Sequence, residues 1–122
     1  MKILIVDPEQ EPRTAEIDDA LEAMQAVVGG TIQALYPFDD TVALICNDDG
    51  KLLNLPLNRE LRDADGDCYD IVCGTFFLVG VPPNSDHFES LTEEQIARYS
   101  SYYAVPRLFL QMNGKIVILP CK

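Results

Sequence analysis

Residues 69–79 read YDIVCGTFFLV, the most apolar stretch of the chain after its first few residues. β-Branched and aromatic side chains dominate this stretch, which is typical of a buried strand. We therefore predict one long central strand from Tyr69 to Val79. We expect it to bend at Gly74, with the rest of a small sheet built around it.

The residues before this stretch predict shorter strands and one turn of helix. Thr31–Tyr36 alternates polar and apolar residues, as a half-buried strand does. Thr41–Cys46 is a β-branched apolar run that an Asn-Asp-Asp-Gly turn joins to Lys51–Leu53, which predicts a hairpin. Asn58 is placed to cap a single helical turn that ends at Arg62, because an Asn side chain accepts hydrogen bonds from free backbone N–H groups.

The N-terminal part of the chain predicts a hairpin followed by a helix. Lys2–Val6 is a short apolar run and Arg13–Ile17 alternates, so we expect two strands that pair with each other. Apolar residues then recur at helical intervals, which predicts a helix over residues 19–28 with Asp18 as its N-cap. Gly29 allows the left-handed conformation that commonly ends a helix.

Two local motifs organise the C-terminal part. Thr92 and Gln95 have the spacing of a capping box, which predicts a helix over residues 93–102. Asn113-Gly114 lies between apolar flanks, a strong signal for a type I′ β-hairpin. The predicted fold class is therefore α+β: a single domain with an antiparallel or mixed sheet, two main helices that cover one face of it, and a C-terminal β-hairpin.

Length and composition indicate one ordinary globular domain. The chain has 122 residues, of which 48% are hydrophobic and 24% charged, enough to form one core. The apolar run after Met1 is too short for a signal peptide, and no run has the roughly 18 apolar residues of a membrane helix. We therefore expect a cytoplasmic protein without membrane contact. The net charge of −11 disfavours direct binding to nucleic acid.

The sequence predicts neither a metal site nor a cofactor. Its four cysteines form no CxxC pair, and His87 is the only histidine, so no recognisable set of zinc ligands is present. The acidic run from Asp63 to Asp67 lacks the twelve-residue spacing and final Glu of an EF-hand loop. We expect reduced thiols, a solvated turn at this acidic run, and stability that survives chelators and reductants.

Several of these segments together resemble a known family. From Lys2 to about Tyr102 the chain is similar to the DUF3846 family. The matching segments are Glu16-Ile17-Asp18, Val28-Gly29-Gly30, Tyr36-Pro37, Leu55-Pro56-Leu57-Asn58-Arg59, Tyr69-Asp70-Ile71 and Gly74-Thr75-Phe76-Phe77. The resemblance implies a domain over residues 1–104, and we expect residues 105–122 to form a hairpin extension packed on that domain.

The resemblance implies a setting but no chemistry. Members of the family are small proteins of phages and conjugative elements of Gram-positive gut bacteria, and no catalytic motif is established among them. Small accessory proteins of such elements often inhibit a host immune system. We therefore expect a role in counter-defence, through binding of a signal molecule or of a host defence protein.

The preferred hypothesis is a noncatalytic protein that sequesters an anionic small molecule such as a signalling nucleotide. Arg59 and Arg62 are spaced to share one side of the predicted helical turn, and Arg98 is a further cation. The aromatic candidates are residues that could stack on a base. The candidate ligand-binding residues are Arg59, Asn58, Arg62, Tyr36, Phe38 and Phe76. The alternative for the arginines is ion pairing with Glu60, Asp63 or Asp65, which needs no ligand.

Two other functions stay open. An acidic inhibitor could imitate the charge of DNA and block a host nuclease or restriction enzyme, with Asp18, Asp19, Asp39 and Asp40 as the set to test. An enzyme would have Asp39, Glu60 or Asp70 as its acid or base, but no nucleophile with an orienting partner stands out. The sequence thus favours binding without catalysis and is compatible with a homo-oligomer.

Overall fold

A computed structural model describes residues 1–121, and within this range it has nine strands and two helices. In chain order the elements are β1 (Lys2–Val6), β2 (Arg13–Glu16), α1 (Leu21–Val28), β3 (Ile32–Leu35), β4 (Val42–Asn47), β5 (Leu57–Arg62), β6 (Cys68–Cys73), β7 (Phe76–Gly80), α2 (Glu93–Tyr102), β8 (Arg107–Met112) and β9 (Lys115–Pro120). The α+β class with a C-terminal hairpin is confirmed.

Five strands form the central sheet in the order β2-β1-β7-β4-β3, and every neighbouring pair is antiparallel. β7 lies in the middle, with Leu78 paired to Leu4 on one side and to Leu44 on the other. All three of these leucines are fully buried. The predicted central strand covered Tyr69–Val79. The prediction is confirmed for its second half, which forms β7.

The two helices cover opposite faces of the central sheet. Met24 and Val28 of α1 pack on the face that contains Phe77, whereas Tyr99 of α2 packs on the face that contains Phe76. The expectation that both helices cover one face is therefore wrong. Because β1, β4 and β7 are apolar on both sides, each face of the sheet needs a cover of its own.

The other half of the apolar stretch belongs to a second sheet, so the prediction of one continuous strand is wrong. Residues 68–73 form β6, which pairs with β5 in a separate two-stranded sheet. Gly74 has a φ of +82°, and its N–H donates to the Pro56 carbonyl at 2.7 Å. This left-handed residue redirects the chain between the two sheets.

Two further local predictions are wrong. Lys51–Leu53 lies in consecutive turns instead of pairing with β4, whose two edges are already occupied by β3 and β7. The N-cap of α1 is Ala20, which has no side-chain cap bond, so Asp18 does not cap this helix. For Lys51–Leu53 the pairing of β4 inside the sheet overrides the local hairpin signal.

The predictions that depend on a few adjacent residues are confirmed. Thr92 and Gln95 form a reciprocal capping box at the start of α2. Gly29 is the left-handed C-cap of α1, with a φ of 79°. Asn113 and Gly114 have positive φ values of 52° and 78° at the tip of the β8-β9 hairpin. Among the described residues, no helix is long and apolar enough to span a membrane.

Candidate functional site

The segment predicted to be a helical turn is strand β5, so that prediction is wrong. Leu57–Arg62 pairs antiparallel with Cys68–Cys73, and the Asp63–Asp67 turn closes the hairpin. Asn58 caps no helix there. The physical reason is long-range: the pairing with β6 buries Leu61 against Val72, which outweighs a weak local preference for one helical turn.

Arg59 is a fully buried cation that connects three parts of the fold. Its Nη2 donates to the carbonyl of Gln10 at 2.7 Å and to the carbonyl of Tyr103 at 3.1 Å. Its Nη1 donates to the Asn58 Oδ1 at 2.9 Å. Burial, followed by the nearby charge of Arg107, lowers the pKa of Arg59 below its usual range. Its guanidinium stays protonated near neutral pH and therefore holds a positive charge next to the core.

Asn58 holds Arg59 in place from behind. Its Nδ2 donates to the carbonyls of Val6 and Gly74, at 2.8 and 2.9 Å, and its Oδ1 accepts from Arg59. The side chain is fully buried. Asn58 therefore orients the buried guanidinium, and its own amide is already engaged with the protein.

Glu60 lies between two further arginines. Its Oε2 accepts from Arg62 Nη2 at 2.9 Å, and its Oε1 accepts from Arg107 Nε at 3.1 Å. Burial would raise the pKa of Glu60, but hydrogen bonds from its own backbone and from both arginines outweigh burial and lower the pKa below its ordinary value. Glu60 is therefore ionised and neutralises one of the positive charges around it.

These side chains line one small cavity, which we call the arginine pocket. Its volume is about 130 Å³. The lining residues are Arg59, Glu60, Arg62, Tyr102, Tyr103 and Arg107. Within the described part of the chain, three guanidinium groups meet a single carboxylate here, which leaves a local excess of positive charge in a protein of net charge −11.

Two buried donors of the arginine pocket have no hydrogen-bond partner among residues 1–121: Arg59 Nε and Tyr103 Oη. The side chains that carry them are 1% and 3% exposed. Burial raises the pKa of Tyr103, with the neighbouring Tyr102 as the next contribution, so its hydroxyl stays a neutral donor. A buried donor without an acceptor costs about 1–3 kcal/mol, so these two groups are unfavourable features of the unliganded pocket.

The structure brings only some of the predicted site residues together. Arg59 and Arg62 line the arginine pocket and Asn58 supports it, although no helical turn relates them. Phe76 is fully buried behind Tyr103, at a ring distance of 5.4 Å.

The other two aromatic candidates lie outside the lining of the arginine pocket. Phe38 packs against Tyr99, Tyr102 and Tyr103, at ring distances of 4.6, 6.3 and 6.4 Å. Phe38 therefore packs against the rings of these three tyrosines without lining the pocket itself. Tyr36 is 64% exposed and does not line the pocket.

Three residues of the arginine pocket were missed by the sequence reasoning: Tyr102, Tyr103 and Arg107. Arg107 begins β8, in the segment interpreted as a hairpin extension, and it lies 47 positions from the Glu60 that it contacts. Such convergence leaves no local signal. The adjacent pair Tyr102-Tyr103, at the end of a helix with a clear capping box, is a signal that could have been weighed.

The carboxylates considered for acid or base chemistry are engaged or exposed. Burial would raise the pKa of Asp70, but hydrogen bonds from Lys51 and the Ile71 backbone outweigh it and lower the pKa. Asp39 is exposed.

Burial raises the pKa of the Cys46 thiol to about 11, which makes it a poor nucleophile near neutral pH. No group of three or more potential ligands within residues 1–121 is arranged to hold a metal ion.

Asp40, one of the four residues selected for the acidic-inhibitor hypothesis, is part of the fold. Its carboxylate accepts from Arg98 at 2.7 Å, from the Tyr99 hydroxyl at 2.8 Å, and from the Thr41 N–H at 2.7 Å. Asp18 and Asp19 are exposed. The acidic-inhibitor hypothesis stays a prediction, and a charge-removal test of it should use exposed residues and leave Asp40 intact.

The fold and this site define a small α+β domain with a cationic pocket on an acidic chain. The family model described as Domain of unknown function (DUF3846) matches residues 1–104, so the chain belongs to the DUF3846 family. No curated protein and no solved structure matches the chain. Five lining residues of the arginine pocket lie inside the matched range, whereas Arg107 lies beyond it.

Proposed function

We propose that this chain is a noncatalytic accessory protein that binds and sequesters a small anionic molecule in the arginine pocket. One observation carries the proposal: two buried donors, Arg59 Nε and Tyr103 Oη, have no acceptor within residues 1–121. The side chains that carry these donors line a cavity where three guanidinium groups meet one carboxylate. An anion in this cavity would provide the missing negative charge, and it would provide the missing acceptors once the two side chains turn toward it.

The positive excess supports ligand binding over a purely structural ion pair. Among residues 1–121, Glu60 is the only carboxylate in the lining of the pocket, and it has Arg62 and Arg107 as partners. Within the same residues, Arg59 donates only to carbonyl oxygens. A buried cation without a counterion is costly, which makes this pocket a favourable place for an anion.

The lining residues favour binding without chemistry. Arginine side chains remain protonated and act neither as bases nor as nucleophiles. Burial is the main cause of the raised pKa of Tyr103, and this raised pKa keeps the hydroxyl protonated. Glu60 has a lowered pKa and is held by two arginines, so it is a weak base. These groups can fix an anion but offer little means of transforming it.

The setting of this proposal is counter-defence in the cytoplasm of a bacterial host. Its support is the phage and mobile-element setting that the family resemblance implies, together with a pocket whose charge suits an anionic group. A sequestering protein needs only affinity and abundance, and therefore no cofactor.

The binding step can be tested with inorganic phosphate as the probe, by isothermal titration calorimetry at low ionic strength. We expect the wild-type protein to bind phosphate and Arg62→Gln and Arg107→Gln to weaken binding about tenfold or more, because each removes a charge-assisted contact. Arg98→Gln is a matched control: its side chain is 52% exposed, compared with 41% for Arg62, and it also pairs with a carboxylate. Equal binding by all variants would contradict the proposal.

Sequestration can be distinguished from catalysis in a second experiment. The protein is incubated with a nucleotide extract of bacterial cells, separated from unbound molecules by gel filtration, and then denatured. We expect chromatography of the released fraction to show a molecule that is already present in the extract. Release of a compound that the extract lacks would contradict a noncatalytic role.

A further inference from the structure

The arginine pocket is too small to enclose a whole nucleotide. Its volume is about 130 Å³, below the roughly 300–1,000 Å³ of pockets that surround drug-sized ligands. The two donors without acceptors among residues 1–121 belong to side chains that are only 1% and 3% exposed. Only a compact terminal group therefore fits the cavity, and the rest of a larger ligand must stay outside it.

The charge of the arginine pocket fits a doubly charged group. Arg59, Arg62 and Arg107 face a single carboxylate, Glu60, so the lining has an excess of two positive charges. A phosphate monoester carries about −1.5 to −2 charges at pH 7 and has three terminal oxygens. A phosphodiester carries one charge and, with substituents on two sides, is not a terminal group. Guanidinium groups also match the geometry of phosphate oxygens.

The rim of the arginine pocket offers a surface for the remainder of such a ligand. Tyr102 lines the pocket but is 53% exposed. Its ring is held edge-to-face against Tyr103, with a distance of 4.8 Å between ring centroids. An exposed, oriented aromatic ring beside a phosphate-sized cavity suits a ligand whose sugar or base extends outward.

We propose that the arginine pocket binds the terminal phosphate monoester of a nucleotide-like molecule and discriminates against cyclic phosphodiesters. This inference deepens the proposed function and rests on it. In this arrangement the side chains of Arg59 and Tyr103 turn so that Nε and Oη, which are closed to solvent without a ligand, donate to the phosphate oxygens. Arg62 and Arg107 neutralise the negative charge of the phosphate. Tyr102 contacts the part of the ligand that remains outside the cavity.

The test compares adenosine 5′-monophosphate with adenosine 3′,5′-cyclic monophosphate, which share a base and a ribose but differ in the phosphate. Calorimetry at pH 7.5 and low ionic strength should give at least about tenfold tighter binding of the 5′-monophosphate, as expected for a further charge-assisted contact. The preference should be lost in Arg107→Gln and kept in Arg98→Gln. Tyr102→Ala should weaken binding of the 5′-monophosphate without weakening binding of inorganic phosphate.

The other outcomes separate this inference from the proposed function. Equal or tighter binding of the cyclic compound would overturn the inference and leave anion binding in place. Binding of inorganic phosphate alone would also overturn it, because the ester would then be excluded. If neither nucleotide nor phosphate binds the wild-type protein, the proposed function fails and the inference fails with it.

Discussion

The middle and the C-terminal end of α2 contribute to two polar clusters of opposite design. In the first, which we call the Asp40 network, one carboxylate is surrounded by donors from Thr41, Gln95, Arg98 and Tyr99. In the second, the arginine pocket, cations outnumber carboxylates and two donors have no acceptor within residues 1–121. The same residue types therefore satisfy all hydrogen-bonding groups named in the first cluster and leave two donors unsatisfied in the second.

This difference shows how to separate a structural arginine from a binding one. Arg98 has a carboxylate partner, Asp40, whose two oxygens both accept hydrogen bonds, so nothing is left for a ligand to complete. Arg59 has only carbonyl partners and a free Nε within the described range. Satisfaction of hydrogen-bonding groups, more than the presence of arginine, identifies the candidate site.

The largest expected effect comes from breaking the floor of the arginine pocket. Arg59→Ala removes the donors to the carbonyls of Gln10 and Tyr103 and leaves a cavity in a buried position. We expect the free energy of unfolding in urea to fall by about 3–5 kcal/mol, because several charge-assisted hydrogen bonds are lost together. Arg59→Lys, which keeps the charge but not the forked geometry, should be less destabilised than Arg59→Ala.

Arg59 is a structural residue and also a candidate ligand-binding residue, and the alanine variant affects both. If Arg59 only bound a ligand, Arg59→Ala would abolish binding and shift the melting temperature by only a few degrees. The contacts of its guanidinium lead us to expect loss of both stability and binding. A loss of stability below about 1 kcal/mol would mean that the carbonyl contacts contribute little and would favour a role for Arg59 in ligand binding alone.

The next largest effect should come from the Asp40 network. Asp40→Asn keeps the size of the side chain but removes its charge and one acceptor, so donors such as the Tyr99 hydroxyl lose their partner. We expect the free energy of unfolding to fall by about 1–2 kcal/mol at pH 7, with phosphate binding unchanged. A loss of phosphate binding in this variant would contradict the separation of the two clusters.

The same variant gives a smaller, pH-dependent effect. Burial would raise the pKa of Asp40, but hydrogen bonds from Tyr99, Thr41 and Gln95 and the charge of Arg98 outweigh it and lower the pKa. The stabilisation is therefore present above about pH 4 and is lost as the pH falls through the lowered pKa. The difference in unfolding free energy between wild type and Asp40→Asn should narrow below pH 4. A constant difference down to pH 3 would exclude a role for the charge.

Sequence-based prediction succeeds for features that depend on neighbouring residues and fails for features that depend on pairing between distant segments. The Asn113-Gly114 turn, the Thr92 capping box and the Gly29 cap each depend on neighbouring residues, and all three are confirmed. The helical turn after Asn58 and the strand at Lys51–Leu53 were wrong, because sheet pairing decides both segments. Local chemistry predicts caps and turns, whereas the order of strands depends on the whole core.

The candidate site shows the same limit. Arg59 and Arg62 were found because a proline, an asparagine and two arginines stand close together in the sequence. Arg107 was missed because the packing of β8 against β5 brings it to Glu60 from a distant part of the chain. The predicted helical turn that related Arg59 to Arg62 is wrong, because both residues lie on strand β5. Even so, both residues line one pocket.

The most direct test of the central claim is the nitrogen NMR signal of Arg59 Nε during a titration with inorganic phosphate. The signal can be assigned by its absence in Arg59→Lys. If the arginine pocket binds anions through this donor, the Arg59 signal should shift and its proton should exchange more slowly with water, while the Arg98 signal stays unchanged. An Arg59 signal that does not move at phosphate concentrations high enough to saturate a millimolar site would contradict the account.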